Sequence, residues 1–209
     1  ILLTYRRLYA SHISDKELRD ERILELDWQG NAVWTWDSNE HFEEMGFDEA
    51  AKDAIAKNPA GGDWLHLNAV SVLGPNRWYE GGDVRFHPDN LICSSRQCNL
   101  VFIIEKKTGR LVWKVGPDYL TDSRLRELGQ IIGQHHAHMI PKGLPGEGNI
   151  LLFDNGSFGG YGMPTGSSPD GVNRERRHYS RVLEFNPVTL KIIWEYVGDR
   201  LPNGKIMVM

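Results

Sequence analysis

NLVFIIEKKTGRLVWKVG, residues 99–116, is the stretch of the chain that decides its fold. An apolar run ends at a polar, glycine-containing turn, and a second apolar run carries Trp113. This pattern is typical of a β-hairpin. It returns in SRVLEFNPVTLKIIWEYVG (180–198), with Trp194, and in RILELDWQGNAVWTW (22–36), with Trp34. The tryptophans recur roughly every 80 residues, against ~40–50 for familiar propeller repeats, so insertions are expected.

Two further strands are expected before each of the later hairpins, at 66–73 and 90–95, and at 135–140 and 149–154. Four antiparallel strands per unit make the blade of a β-propeller. The predicted fold class is therefore all-β, a β-propeller of four-stranded antiparallel blades with short helical insertions. A β-sandwich of about ten strands is the competing architecture, but it gives no reason for the repeat.

The repeat predicts a single propeller segment of about two and a half blades. Residues 1–5 match the second strand of a blade, so the chain is expected to be a piece of a longer protein. Helices are expected at 47–57 and 123–128, and capping-box spacing predicts a helical turn at Ser14–Glu17. The predicted parts are a partial blade at 1–38, a helical insertion at 39–62, a blade at 63–116, a helical connector at 117–130, a blade at 131–198, and the start of a further element at 199–209.

Net charge, the lengths of apolar runs and the cysteine positions limit the kinds of partner and chemistry that the chain can have. The formal net charge is -4, which argues against a nucleic-acid partner. No apolar run approaches the ~20 residues that a membrane-spanning helix needs. Cys93 and Cys98 flank the end of a predicted strand and are expected to be two thiols, although a turn at Arg96 leaves a disulfide open.

Two histidine-bearing segments, 63–68 and 133–138, occupy matching places in the repeat. A repeat that places titratable residues at equivalent positions of successive units can bring them together at one site. His66 and Asn68 alternate with leucines, so both are expected on one side of a strand, facing a central channel. The alternative is a hydrogen-bonded structural pair that braces a turn.

The cluster of His135, His136 and His138 offers two kinds of chemistry. On a regular strand His136 and His138 share one face and His135 takes the other, so at most two could bind one metal ion. No metal site is therefore predicted. A histidine nucleophile or general base is the easier assignment, because neutral imidazole is available near pH 7.

Arg96 follows the strand expected to pair with the His66 strand. A guanidinium there offers a planar fork of donors to a tetrahedral anion. The alternative is an ordinary surface arginine. A second basic group is expected to be a solvated loop; it consists of Arg174, Arg176, Arg177 and Arg181.

Five short motifs, in this order, resemble the bacterial arylsulfate sulfotransferase family. The similarity spans the chain from about residue 20 onward. The motifs are Asp63-Trp-x-His66-x-Asn68, Ser94-Ser-Arg96, Gly133-Gln-His135-x-Ala, GNILLFDNG at 148–156, and Ser180-Arg-Val-x-Glu-x-Asn-Pro together with Trp194-Glu-Tyr.

The resemblance implies a fold, an activity and roles for four residues. It implies a six-bladed propeller, exported to the periplasm or secreted, that transfers a sulfuryl group from a phenolic sulfate ester to a phenolic acceptor without a nucleotide donor. His135 would form a sulfohistidine, His66 would protonate the departing phenolate, and Asn68 and Arg96 would surround the sulfuryl oxygens. The partners implied are small molecules; neither cofactor nor metal is implied, and a homodimer is left open.

Two other functions stay open at this point. A non-catalytic propeller that binds a ligand or a protein would keep the repeat without the chemistry. A metal-dependent hydrolase would lose its activity to a chelator. The family also places channel residues on blades before and after this segment, so the isolated segment is expected to be inactive.

Overall fold

A computed structural model describes residues 1–57 and 62–198. Within these ranges the chain is mostly antiparallel β-sheet with a few short helices. Part of the predicted helical insertion, at 58–61, and the predicted start of a further element, at 199–209, lie outside the described residues. The helices are α1 (Phe42–Met45), α2 (Glu49–Lys57), α3 (Arg77–Glu80) and α4 (Ser123–Leu128), with 3-10 turns at Ser38–His41 and Val84–Phe86.

The strands form three larger sheets and a small hairpin. The first sheet holds β1 (Leu2–Ala10), β2 (Ser14–Leu26) and β3 (Ala32–Asp37) in sequential order. The second is β4 (Leu67–Val72), β5 (Leu91–Ser95), β6 (Leu100–Ile104) and β7 (Leu111–Val115), also sequential. The third pairs β8 (His135–Met139), β9 (Ile150–Asp154), β12 (Arg181–Phe185) and β13 (Ile192–Tyr196), and the hairpin β10 (Gly159–Tyr161) and β11 (Val172–Glu175) is inserted between β9 and β12.

The second sheet is covered on both faces, which explains its continuous apolar run. Along β6, Leu100, Phe102 and Ile104 belong to a core shared with the first sheet. Val101 and Ile103 point the other way, into a core shared with the third sheet. Because successive side chains of a strand alternate between faces, one strand serves two cores. Three sheets therefore stack in succession. The competing architecture, a sandwich of two sheets, does not describe this arrangement.

The outer tryptophans tie each sheet to the next. The Trp36 indole donates a 2.9 Å hydrogen bond to the Gly109 carbonyl, in the turn between β6 and β7. Trp113 donates in the same way, at 2.8 Å, to the Pro187 carbonyl in the turn between β12 and β13. A buried indole N–H needs such a partner. Each of the two sheet-to-sheet contacts thus has a tryptophan as a polar anchor, although Trp36 is not the residue that matches Trp113 in the repeat.

The predicted hairpins and two of the predicted helices are confirmed. Asp48 accepts a hydrogen bond from the Ala51 amide at 2.7 Å at the start of α2, and Asp122 accepts one from Arg124 at 2.8 Å at the start of α4. Such side-chain acceptors satisfy amides that have no partner within the helix. Both boundaries follow from these caps.

The predicted helical turn at Ser14–Glu17 is wrong, because these residues begin β2. The Ser14 hydroxyl donates at 2.7 Å to the Ala56 carbonyl near the end of α2, and it accepts from the Lys16 amide. Its side chain therefore ties a strand to a helix instead of capping a helix. The capping-box spacing was coincidental.

Candidate functional site

The predicted site residues lie where β4 and β8 begin and where β5 and β9 end. Leu67, the first residue of β4, pairs with Ser95, the last residue of β5. His66 and Arg96 are the next residues outward on each strand, and the Arg96 amide donates to the His66 carbonyl at 3.1 Å. The antiparallel pairing thus brings these two residues side by side, as the sequence predicted.

His66 is held in an unusual conformation by a carboxylate. Its φ is 50°, in the left-handed region that few residues other than glycine adopt. Its Nδ1 lies 2.6 Å from Asp63 Oδ2, and its side chain is 37% exposed. Burial opposes ionisation of Asp63, but the hydrogen bond with His66 and the charges of His66, Arg19 and Arg96 outweigh it and lower the pKa of Asp63. Asp63 is therefore a carboxylate at neutral pH.

Asn68 and Gln134 connect the second sheet to the third. The Asn68 amide donates at 2.7 Å to the Gln134 carbonyl. The fully buried Gln134 side chain in turn donates to the carbonyls of Ser95 and Leu100, at 2.9 and 3.0 Å. Since these bonds cross between sheets, they fix the backbone immediately before His135. The Asn68 Oδ1 atom is buried and has no hydrogen-bond partner.

His135 begins β8 and is half-buried. Burial, and then the positive charges of Arg96 and His66, lower the pKa of His135 below its usual value. Its ring is therefore predominantly neutral at neutral pH, with a nitrogen lone pair available. Arg96 and His66 are thus close enough to His135 for their charges to influence its pKa.

Asn155 is a neighbour that the sequence did not single out. Its amide nitrogen lies 3.2 Å from His135 Nδ1. It follows β9 and precedes Gly156, where φ is 64° and a Cβ would collide with the Tyr179 carbonyl. Only glycine fits this tight turn, and the turn carries Asn155 up to the imidazole.

The arrangement of the three neighbouring histidines differs from the prediction. A register shift between His135 and His138 places them opposite Phe153 and Leu151, which lie on one face of β9. His136, within the shift, has a φ of 53° and is exposed, and its ring packs 4.6 Å from that of His138. The prediction that His135 and His138 occupy opposite faces is therefore wrong, because a β-bulge interrupts the alternation.

The two histidine-bearing segments are also offset along the repeat. Ser94 and Phe153 each stand one residue before the end of their strand; Ser94 pairs with Ala69, and Phe153 pairs with His135. The position equivalent to His135 is therefore Ala69, three residues after His66. The two segments do occupy equivalent positions of the repeat, as predicted. The imidazoles of His66 and His135 do not, because they lie at different positions along their strands.

Arg96 keeps most of its donors free. Its side chain makes one hydrogen bond, of 3.3 Å, to the Gln97 side chain, and it takes part in no ion pair with any residue of the described ranges. A guanidinium carries five N–H donors. A half-buried arginine with unused donors beside two imidazoles is suited to an oxyanion.

Two charged residues of the first sheet stand behind Asp63. Arg19 Nη1 lies 3.5 Å from Asp63 Oδ2, and Arg19 Nε lies 3.7 Å from Glu21 Oε1. Burial raises the pKa of Glu21 to about 7, although the charge of Arg19 opposes the shift. Sequence reasoning missed this group, because nothing in a strand pattern marks which carboxylate will be covered by another sheet.

The basic group at 174–181 is only partly the solvated loop that the sequence predicts. Arg181 is buried, with ion pairs to Asp154 at 2.7 Å and Glu195 at 2.9 Å. Arg177 contacts the same Asp154 at 2.8 Å. These two arginines hold the loop against β9, and only Arg174 and Arg176 remain exposed.

Metal and thiol chemistry find little support among the residues that the structure describes. In those ranges no group of three or more His, Cys, Asp or Glu side chains could hold a metal ion. Cys93 and Cys98 are two free thiols, as predicted, and burial raises the pKa of both. Such thiols are poor nucleophiles.

A cavity of about 340 Å³ lies beside the site but does not contain it. Phe47, Tyr119 and Arg174 line it, and it reaches Cys98 and Asn99 at the back of the turn that follows Arg96. None of the four predicted site residues lines it. Within the described ranges no helix is long and apolar enough to span a membrane.

Comparison with known proteins gives one match. The family model described as Arylsulfotransferase (ASST) matches residues 2–201. No curated protein and no solved structure matches the chain significantly.

Proposed function

The chain belongs to the arylsulfotransferase family, and from this premise we propose that it transfers a sulfuryl group from a phenolic sulfate ester to a phenol through a sulfohistidine at His135. No nucleotide sulfate donor takes part. The observation that carries the proposal is that the neutral, half-buried imidazole of His135 follows Gln134, whose carbonyl is hydrogen-bonded by Asn68 on the sheet that carries the largely unpaired guanidinium of Arg96. A neutral nucleophile beside a fixed cation is suited to an anionic ester.

In the first half-reaction a nitrogen of His135 attacks sulfur, and the bond from sulfur to the aryl oxygen breaks. Protonated His66 gives its proton to that oxygen, so the products are a neutral phenol, neutral His66 and a zwitterionic sulfo-imidazolium. In the second, the acceptor phenol gives its proton to His66 while its oxygen attacks sulfur. Charge and protons balance in each half, and the kinetics are ping-pong.

The surrounding donors have separate tasks in this scheme. Arg96 neutralises the sulfuryl oxygens, whose charge spreads as the aryl bond breaks. Asn68 is anchored by its amide nitrogen to the Gln134 carbonyl, which fixes its position at the edge of the site. Asn155 orients the ring of His135, because its amide nitrogen lies 3.2 Å from Nδ1.

The wider assignment follows the family. The stacked sheets are proposed to be blades of a six-bladed propeller, with the site facing its central channel. The protein would act in the periplasm or after secretion, on small phenolic donors and acceptors, as a monomer or a homodimer. Neither a cofactor nor a metal ion enters the scheme.

The test is release of 4-nitrophenol from 4-nitrophenyl sulfate in the presence of an acceptor phenol, measured on the full-length protein because the isolated segment is expected to be inactive. His135→Ala should abolish release, with a loss of at least about 10³-fold, because the nucleophile is gone. His136→Ala is the matched control, since it removes an exposed neighbouring imidazole and should leave the rate within about threefold.

Three results would contradict the proposal. Equal loss in both variants would assign no special role to His135. Absence of release by the unmodified full-length protein would favour a non-catalytic propeller that binds a ligand or a protein. Loss of release on treatment with a chelator would favour a metal-dependent hydrolase.

A further inference from the structure

A line of charged groups extends from His66 to the first sheet. Asp63 Oδ2 lies 2.6 Å from His66 Nδ1 and 3.5 Å from Arg19 Nη1. Arg19 Nε then lies 3.7 Å from the Glu21 carboxylate. The line crosses from β2 of the first sheet to the segment that leads into β4, so two sheets contribute to it.

Backbone contacts hold the line in place. Arg19 and Asp63 form a short parallel bridge, and the Arg19 amide donates to the Gly62 carbonyl at 2.9 Å. The Arg19 guanidinium also lies 4.1 Å from the centre of the Tyr5 ring, a cation–π contact. Asp63 therefore sits at a fixed distance from β2, and its partner has little freedom to move away.

The far end of the line is a buried carboxyl. Glu21 is 2% exposed, and burial is the main reason that its pKa rises to about 7. Arg19 and His66 favour its ionised form, while Asp63 and Asp20 oppose it. Asp63 and His66 thus both lie close enough to influence this second carboxyl.

We propose that Asp63 is a positioning residue for His66, holding the proton of its Nδ1 and presenting its Nε2 to the reacting oxygen. The inference rests on the proposed sulfuryl transfer, in which His66 Nε2 gives a proton to one aryl oxygen and takes it from the next. Asp63 keeps its charge in both halves and transfers no proton itself. A carboxylate in this place selects one imidazole tautomer and one ring orientation.

The test joins kinetics to ¹⁵N NMR of the histidine rings. In Asp63→Asn, kcat for 4-nitrophenyl sulfate should fall about 10–100-fold, the usual effect of losing an orienting carboxylate, while KM changes much less. The spectrum should show His66 as a single Nδ1–H tautomer when neutral in the unmodified protein, and as a mixture in the variant. Asp63→Glu should restore part of the rate and the single tautomer.

Asp83→Asn is the matched control. Asp83 is an aspartate of nearly the same exposure, 26% against 24%, and it pairs with Arg85 away from the site. Its variant should keep the rate and the His66 spectrum. A mixture of tautomers in the unmodified protein, or an Asp63→Asn variant with an unchanged spectrum, would overturn the inference.

The two readouts separate this inference from the proposed function. If the protein turns over no aryl sulfate, the function fails, and the tautomer of His66 still decides the role of Asp63. If Asp63→Asn does not fold, the spectra of the unmodified protein and of Asp63→Glu decide it, since an Nε2–H tautomer in either would contradict the arrangement.

Discussion

The chemistry of single residues here depends on backbone that a sequence pattern does not reveal. His66 and His136 both have a positive φ, near 50°, and each stands beside a register shift. A left-handed residue at the start of a strand redirects its neighbours. This is why the regular alternation predicted for His135, His136 and His138 failed, although the importance of that segment was evident from its composition.

Glu21 gives a prediction for stability at the residue scale. Its pKa is about 7 in the folded protein and 4.5 in the unfolded chain, so the folded state binds the proton more tightly. The free energy of unfolding therefore falls as pH rises from about 4.5 to 7, and the loss is complete above that range. Glu21→Gln removes this loss of stability at high pH, because a neutral amide does not ionise and so carries no desolvated charge.

The Gln variant should match the unmodified protein at pH 5 and be more stable at pH 8, by an amount on the order of 3 kcal/mol. Urea unfolding at the two pH values, followed by tryptophan fluorescence, measures the difference. Glu17→Gln, at an exposed position on the same strand, serves as the control and should show no such gain. If the substitution stabilises the protein less at pH 8 than at pH 5, the burial argument is wrong.

At the scale of elements, the hairpins were predictable because their signals are local. Apolar runs, a polar turn and a tryptophan at a fixed place located β6 with β7 and β12 with β13. Trp34, Trp113 and Trp194 pair with Glu25, Ile103 and Glu184, and each pairing adjoins a register shift. The repeat in sequence is thus a repeat of strand register.

Elements that depend on distant contacts were missed. The small hairpin β10 and β11 lies in a stretch rich in glycine and serine, and Gly160 is held by a 2.8 Å hydrogen bond to the Gln97 carbonyl, far away in sequence. Likewise, the Ser14 hydroxyl donates a hydrogen bond to the distant Ala56 carbonyl, which holds Ser14 in a strand. Tertiary partners overrode local propensity in both places.

Trp113 gives a prediction for how neighbouring sheets are joined. Trp113→Phe keeps an aromatic ring but leaves the buried Pro187 carbonyl without its donor. Thermal or urea unfolding should show a loss of about 1–3 kcal/mol. Trp28→Phe, at a fully exposed position, should change stability by less than about 0.5 kcal/mol. Equal effects of the two substitutions would mean that the indole anchor contributes nothing to the stacking of sheets.

At the scale of the molecule, the site is a product of stacking. Arg19 and Asp63 join the first sheet to the second, and Asn68 with Gln134 joins the second to the third. A sequence motif can name His66, Asn68, Arg96 and His135, but the contacts between sheets that orient them come from residues far apart in the chain. The supporting residues were therefore beyond sequence reasoning, whereas the motif residues were not.

The most direct test of the central claim is peptide mass spectrometry after brief incubation with 4-nitrophenyl sulfate and no acceptor, quenched at alkaline pH to protect the sulfamate-type N–S bond. The peptide that contains His135 should gain the mass of one SO₃, located on that residue by fragmentation, and should lose it when a phenol is added. Release of 4-nitrophenol with an unmodified His135, or with the added mass on His136 or His138, would contradict the account.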